Sequence, residues 1–310
     1  MNDIIRLTEP VLLVGEDNLT NTIATVLLTG GHIVGLCNSD GNISLNSIRN
    51  LLSVSNYPDA LIAEQRLIIS DSICNHTNCK LAIVISSEDV RIKKGIISEI
   101  EKIISPNSPI AINCENIPLE ELQNGALFPN RIIGLNWTEP AHTTRFLEII
   151  KTDANSIDIV NYIKGLARLH WSKDPYIVES TGIRSRLLAA MIREAFFLVE
   201  NEYATIEDID RACRNDAGYY LSFAGNCRYM DLMGTFGYGV VMKDLNPELS
   251  KKQALPDFFS DILQSGGDGL SNGNGFYKYS DEQRELWKNI TEKFSYQIQK
   301  IINKFPFNYK

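Results

Sequence analysis

The sequence is short of positive charge: 30 lysines and arginines stand against 38 aspartates and glutamates, a formal net charge of −8. With a sequence pI of about 5.2 and no basic run, such a surface repels phosphate backbones on average, so nucleic acid is not an expected partner. No window approaches the ~18 apolar residues of a membrane span. The opening MNDIIRLTEP carries an early acid where a secretory leader would keep an apolar core. The expectation is a cytoplasmic protein with no membrane partner. Cysteine is scattered rather than clustered: Cys37, Cys74, Cys79, Cys114, Cys213 and Cys227 spread over the whole length, which suits reduced thiols. Cys74, His76 and Cys79 lie close together in CNHTNC. Zinc takes four ligands, however, and no second pair stands nearby, so a polar loop is expected there and no metal site. No internal repeat is visible.

What the chain does have is apolar residue, 44% of 310, enough to bury a large core and to build two domains. In the first half it falls in unbroken runs: VLLVG (11–15), GHIVGLCN (31–38), LAIVIS (81–86), PIAINC (109–114) and RIIGLNW (131–137). Such runs read as strands buried on both faces, and helix-length segments between them read as crossovers of a parallel sheet, an α/β fold. Leu19, Ile23, Val26 and Leu27 mark one crossover helix, and Ile92, Ile96, Ile97, Ile100 and Ile103 another. Beyond Pro175 the pattern turns helical. RLLAAMIREAFFLVENE (186–202) is amphipathic, and Thr205 and Asp208 are spaced as a capping box.

A strand, turn, helix and second strand run from Val11 to Asp40. Such a unit holds a dinucleotide pyrophosphate when glycines let the backbone close on it at a helix N-terminus. The pattern required is G-x-G-x-x-G, and here it reads Gly15-Glu16-Asp17-Asn18-Leu19-Thr20. Only the first glycine stands, and two carboxylates sit where phosphate oxygens would lie. At the end of the second strand, where an acid would accept the ribose hydroxyls, the residue is Asn38. Both a modified cofactor turn and a plain βαβ crossover without cofactor remain open on these residues alone.

Three blocks carry a resemblance over essentially the whole chain: GLNWTEPAHTTRFLEII (134–150), GIRSRLLAAMIREAFFLVENEYATIEDIDRA (182–212) and GNGFYKY (273–279). In order and separation they resemble the L-3-hydroxyacyl-CoA dehydrogenase family, which includes 3-hydroxybutyryl-CoA dehydrogenases. The resemblance implies a Rossmann-type, doubly wound, mostly parallel sheet over residues 1–180. Residues 181–310 would be an all-helical domain that dimerises and helps to bind acyl-CoA. It also implies NAD as cofactor, with Gly15, Asn18, Leu19, Asn38, Glu88 and Asn113 at the matched cofactor positions, and a homodimer acting in fatty-acid metabolism.

Family chemistry uses a His that takes the hydroxyl proton as hydride leaves, oriented by a Glu. In the family block GLHFxNPxxxxxLVE the His position falls on Asn136 and the Glu position on Glu148. An amide has no titratable nitrogen near neutral pH. Three further positions change type: the Asn before proline falls on Glu139, the Ser of SNTSS on Glu115, and the Asn of PGFxxNRL on Ser185, with Arg186 retained. The candidate catalytic set is therefore Asn136, Glu148, Glu115 and Ser185. His142 could serve as a substitute base, but a solvated loop histidine is the expected reading; His32 is expected to be structural. Phe276 and Tyr277 would close a terminal turn, and the Met- and aromatic-rich run 219–242 would line an interface or a core. Three functions remain open: an NAD-dependent oxidoreductase with an altered site, a member that binds without ordinary dehydrogenase activity, and other chemistry by a cluster of Glu115, Glu139 and Glu148.

Overall fold

In a computed structural model, residues 9–54 and 60–305 are described. Among these residues there are eight strands: β1 (Pro10–Val14), β2 (Ile33–Cys37), β3 (Leu67–Ser70), β4 (Leu81–Val84), β5 (Ile110–Ile112), β6 (Ile132–Asn136), β7 (Glu148–Lys151) and β8 (Tyr176–Glu179). They form one sheet in the order β3-β2-β1-β4-β5-β6-β7-β8, parallel throughout except for the antiparallel pair β6 and β7. The expected α/β class and Rossmann-type sheet are therefore present. Strand order reverses between β1 and β4, the switch point at which sheets of this kind leave a crevice beyond their carboxyl ends.

The five expected runs became strands because both of their faces are covered. Val11 and Leu13 pack into one core layer and Leu12 into the other; Ile83 and its neighbours Ala82 and Val84 divide in the same way. The covering helices are α1 (Asn18–Thr29), α2 (Gly41–Val54), α3 (Ala60–Glu64), α4 (Val90–Ile103), α5 (Leu119–Gln123) and α6 (Ile157–Leu169). On α4, Ile97 and Ile100 face the core while Ile92 is half exposed. Strands β3, β7 and β8 were not expected. Each has only four residues; β3 and β8 lie at the two edges and are only partly buried, and β7 begins with a buried glutamate that breaks its apolar signal.

The chain divides into two compact units, Met1–Ser185 and Arg186–Lys310. Helix α7 (Arg184–Glu200) leads into the second, which continues with α8 (Ile206–Ala212), α9 (Gly218–Leu221), α10 (Gly225–Met233), α11 (Thr235–Leu245), α12 (Asp257–Gln264) and α13 (Asp281–Lys304). The Thr205–Asp208 capping box forms: Thr205 Oγ1 accepts the Asp208 N–H at 3.1 Å, and an Asp208 carboxylate oxygen accepts the Thr205 N–H at 3.3 Å. Phe276 stacks on Phe259 with ring centroids 5.4 Å apart, and Tyr277 donates to Asp210 at 2.7 Å, so the aromatic pair that ends the glycine-rich turn is anchored while both rings stay exposed. Among the described residues all six cysteines are unbridged, no group of His, Cys, Asp and Glu could hold a metal ion, and no helix is long and apolar enough to cross a membrane. His76 of CNHTNC shares a hydrogen bond with Ser70 at 2.9 Å beside the sheet.

Candidate active site

The candidate residues follow the carboxyl ends of neighbouring strands: Gly15 after β1, Asn38 after β2, Glu88 after β4, Asn113 and Glu115 after β5, and Asn136 as the last residue of β6. Sheet order alone thus gathers side chains that lie more than a hundred residues apart in sequence.

The turn after β1 is tied to itself. Asp17 is the N-cap of α1, and its carboxylate accepts the Thr20 N–H at 2.8 Å and the Thr20 hydroxyl at 2.6 Å. Thr20, in the place of the third glycine, is fully buried against Gly15. A Cβ on Gly15 would lie 2.3 Å from Thr20 Oγ1 and 3.0 Å from the Ile85 carbonyl, which is why the first glycine alone survives. Asn38 uses both ends of its amide: Nδ2 donates to the Gly15 carbonyl at 2.9 Å, and Oδ1 accepts the Asp40 N–H at 2.7 Å. Ser39 donates to Glu16 at 2.6 Å, and the Asn18 amide donates to Glu139. Leu19 is partly buried and packs on the core.

After β4 and β5 lies a second group. Lys93 of α4 is wholly buried, and its ammonium donates to the Asn113 carbonyl at 2.7 Å and to Asn113 Oδ1 at 2.8 Å. It also pairs with Glu88 at 3.0 Å. Burial pulls the Lys93 pKa down while Glu88 holds it up. Glu88 accepts the Asn116 N–H at 3.1 Å, and Asn113 Oδ1 accepts the Ser86 N–H at 3.0 Å. Sequence reading placed Glu88 and Asn113 but missed Lys93. A lysine set five residues after Glu88, among the isoleucines of an amphipathic helix, was the available signal.

The third group holds the catalytic candidates. Asn136 and Glu148 meet as opposed residues of the antiparallel β6–β7 pair, and both are buried. Asn136 Nδ2 donates to Glu148 at 3.0 Å, and Asn136 Oδ1 accepts the Cys114 N–H at 2.8 Å. The other Glu148 oxygen accepts from the Tyr176 hydroxyl at 3.0 Å and the Ile183 N–H at 2.8 Å. Burial, then the Glu148 charge, raises the Tyr176 pKa. A Cβ on Gly182 would lie 2.3 Å from Glu148 and 3.0 Å from Asn136 Nδ2, so only glycine admits this approach. Glu115 accepts from Ser185 and pairs with Arg184 at 3.4 Å, while the Arg184 guanidinium lies 5.8 Å over the Phe146 ring. Glu115, Glu139 and Glu148 each engage separate partners.

His142 corrects an expectation. It is not a solvated loop histidine but is partly buried, and desolvation followed by the nearby Lys173 charge pulls its pKa down to about 4. The loop is closed from within because buried Lys173 donates to the Ala141 and Thr144 carbonyls and lies 5.4 Å over Trp137. Desolvation brings the Lys173 pKa down to about 7.

Comparison with known proteins places the chain in a family. Residues 13–181 match the family described as 3-hydroxyacyl-CoA dehydrogenase, NAD binding domain, and residues 183–279 match its C-terminal domain. The chain is 27% identical over 199 residues to a 5-formyl-3-hydroxy-2-methylpyridine 4-carboxylate 5-dehydrogenase of Mesorhizobium japonicum, covering 63% of this chain and 64% of that protein. It is 25% identical over 291 residues to a 3-hydroxyadipyl-CoA dehydrogenase of Escherichia coli, covering 90% and 60%. The chain thus spans less than two thirds of the length of these relatives. Among solved structures, a 5-formyl-3-hydroxy-2-methylpyridine 4-carboxylic acid 5-dehydrogenase, described as an NAD+-dependent dismutase, superposes with a TM-score of 0.87 at 22% identity, covering 96% of this chain and 99% of that one. A (S)-3-hydroxybutyryl-CoA dehydrogenase of Ralstonia eutropha superposes with a TM-score of 0.70 at 22% identity, covering 89% and 100%. NAD is the cofactor that the matched N-terminal domain implies. The first turn as it stands does not fit the dinucleotide's pyrophosphate, because the Asp17 carboxylate already caps the α1 N-terminus.

Proposed function

This chain belongs to the 3-hydroxyacyl-CoA dehydrogenase family, and from that premise we propose that it binds an acyl-CoA-like ligand as a homodimer with weak or no ordinary dehydrogenase activity. The observation that carries the reading is Asn136. At the position where the family's proton shuttle falls, the oxygen of this buried amide accepts from the Cys114 N–H and its nitrogen donates to Glu148. Flipping the amide would set N–H against N–H and oxygen against carboxylate, so its orientation is fixed and no basic atom faces a substrate hydroxyl. Absence of a general base costs ~10²- to 10⁴-fold in rate.

The homodimer reading is supported by burial in the second unit. Among the described residues of Arg186–Lys310 only Ala224, Ser250 and Pro256 are buried. Leu187, Met191, Phe236 and Val241 are exposed. Apolar helical surface on this scale calls for a covering partner, and a second copy is the partner we assign. Residues 181–310 then serve as the dimerising, acyl-CoA-binding part.

A second reading rests on Arg184, whose partly exposed guanidinium stands beside Glu115 and Ser185. It suits a small carbonyl compound bearing a carboxylate, the class named for the Mesorhizobium relative, in place of a thioester. The test is NADH oxidation by the full chain with acetoacetyl-CoA and, in parallel, with a pyridine carboxaldehyde carboxylate. Turnover at least a hundredfold below a typical ~10 s⁻¹ with both supports the first reading. Turnover near ~10 s⁻¹ with the thioester overturns it, and near ~10 s⁻¹ with the carboxylate alone establishes the second.

A further inference from the structure

We infer that Asp17 is an internal occupant of the anion seat at the N-terminus of α1, and that it sets the affinity of this protein for NAD(H) low. The inference concerns binding and is independent of whether Asn136 permits turnover.

The free N–H groups that open any α-helix, together with the helix dipole, draw an anion to that end. In a dinucleotide fold the anion is the pyrophosphate. Here a carboxylate from the chain is already in place, accepting from both the N–H and the hydroxyl of Thr20. Thr20 is fully buried with its hydroxyl against Gly15, which has the Ile85 carbonyl close by as well, so the pair cannot rearrange without moving the turn. The turn is fastened on its far side as well, by the Asn38 amide on the Gly15 carbonyl.

Two more carboxylates border the same turn: Glu16 is held by Ser39, and Glu139 is held by the Asn18 amide. Among the described residues no lysine or arginine pairs with Glu16, Asp17 or Glu139. A dinucleotide must therefore displace the Asp17 cap and bring its phosphates among uncompensated charges of like sign. Asn38 and Ser39 are spent on neighbouring residues, so neither is free to receive the ribose hydroxyls in exchange. Asp17 is thus an affinity-determining residue: it holds the helix end that the cofactor needs.

The test is a fluorescence titration of full-length protein with NADH, for the wild type, Asp17→Asn and Asp17→Gly, with melting temperature recorded for each. Asp17→Asn keeps a good N-cap acceptor and removes the charge; Asp17→Gly restores the second glycine of the fingerprint. The expected result is weak binding by the wild type, with Kd near or above about 1 mM, falling about tenfold or more in Asp17→Gly and about threefold or more in Asp17→Asn. Added salt should leave wild-type binding unweakened, because it screens repulsion, and should weaken binding by Asp17→Gly. Micromolar binding by the wild type overturns the inference, as does a Kd within twofold of wild type in both variants, or no NADH binding by any of the three. If Asp17→Gly melts too early to titrate, Asp17→Asn decides alone by the same threefold criterion.

Discussion

In Met1–Ser185 the strand residues Leu12, Ile83 and Ile133 are completely buried, whereas in Arg186–Lys310 Phe236 is 86% exposed, Tyr219 82% and Leu232 60%. Both units are rich in apolar residues, so composition does not explain the contrast. The first unit has a sheet, and a sheet covered on two faces buries alternate residues in two separate layers. Among the described residues the second has helices and two isolated β-bridges but no sheet; several of its helices are four to nine residues long, and short helices on their own leave apolar stripes uncovered. The difference in burial between the two units follows from that difference in architecture, and the proposed homodimer rests on it.

The strongest test of the contrast is to separate the units. Residues 1–185 expressed alone should melt in a single cooperative transition, while residues 186–310 alone should associate or fail to fold; light scattering and circular dichroism distinguish these outcomes. A folded, monomeric 186–310 fragment would break the comparison.

Within the first unit the next largest effect belongs to Glu148, which gathers donors from Asn136, Tyr176 and Ile183. Glu148→Ala leaves these buried groups without their acceptor and should cost about 3 kcal/mol or more, read as a lowered denaturant midpoint. A change below about 0.5 kcal/mol would show that the network is not structural.

Acid should also act on the first unit, because all four histidines lie there. His32 is buried as the neutral ring: its Nε2 accepts the Trp171 indole N–H at 3.1 Å, and its Nδ1 lies 3.3 Å from the Glu9 carbonyl. Desolvation lowers its pKa from 6.5 to about 4. Above pH 6.5 the contribution is complete. As pH falls from 6.5 to about 4, the unfolded chain takes a proton that the native site refuses, and stability drops by on the order of 3 kcal/mol before levelling off. Urea titrations from pH 7 to 4 should show the fall, and His32→Gln should remove His32's share of it while leaving that of His142, whose pKa burial also lowers to about 4. In the second unit the smallest effect is expected of Thr205→Ala, which removes one capping box and should cost about 1 kcal/mol, seen as faster amide exchange in α8 with little change in the first unit.

Legibility in the sequence followed the same division. Strands β1, β2, β4, β5 and β6 announced themselves as unbroken apolar runs because burial on both faces leaves no polar position. Strands β3 and β8 escaped notice as short edges, and β7 did so because Glu148 belongs to the polar site rather than to the core. Asn136 and Glu148 were legible as a pair only through the family resemblance, since their meeting depends on an antiparallel register. Asp17 was read as a repelling charge; that it also caps α1 is a matter of backbone geometry. Tyr176 and Gly182 stayed hidden because each acts through a contact made across the fold, and Lys93, though five residues from Glu88, because its bonds to Asn113 depend on β5 lying beside β4. His142 was misjudged because its loop is tethered inward by Lys173, a residue about thirty positions downstream.

The most direct measurement of the central claim is the ratio of hydride-transfer rates, Asn136→His over wild type, at high NADH and acetoacetyl-CoA. If the missing proton shuttle is what silences the site, the wild type turns over far below ~10 s⁻¹ and the variant gains about tenfold or more. A wild type already near ~10 s⁻¹, with a ratio at or below one, would contradict the account.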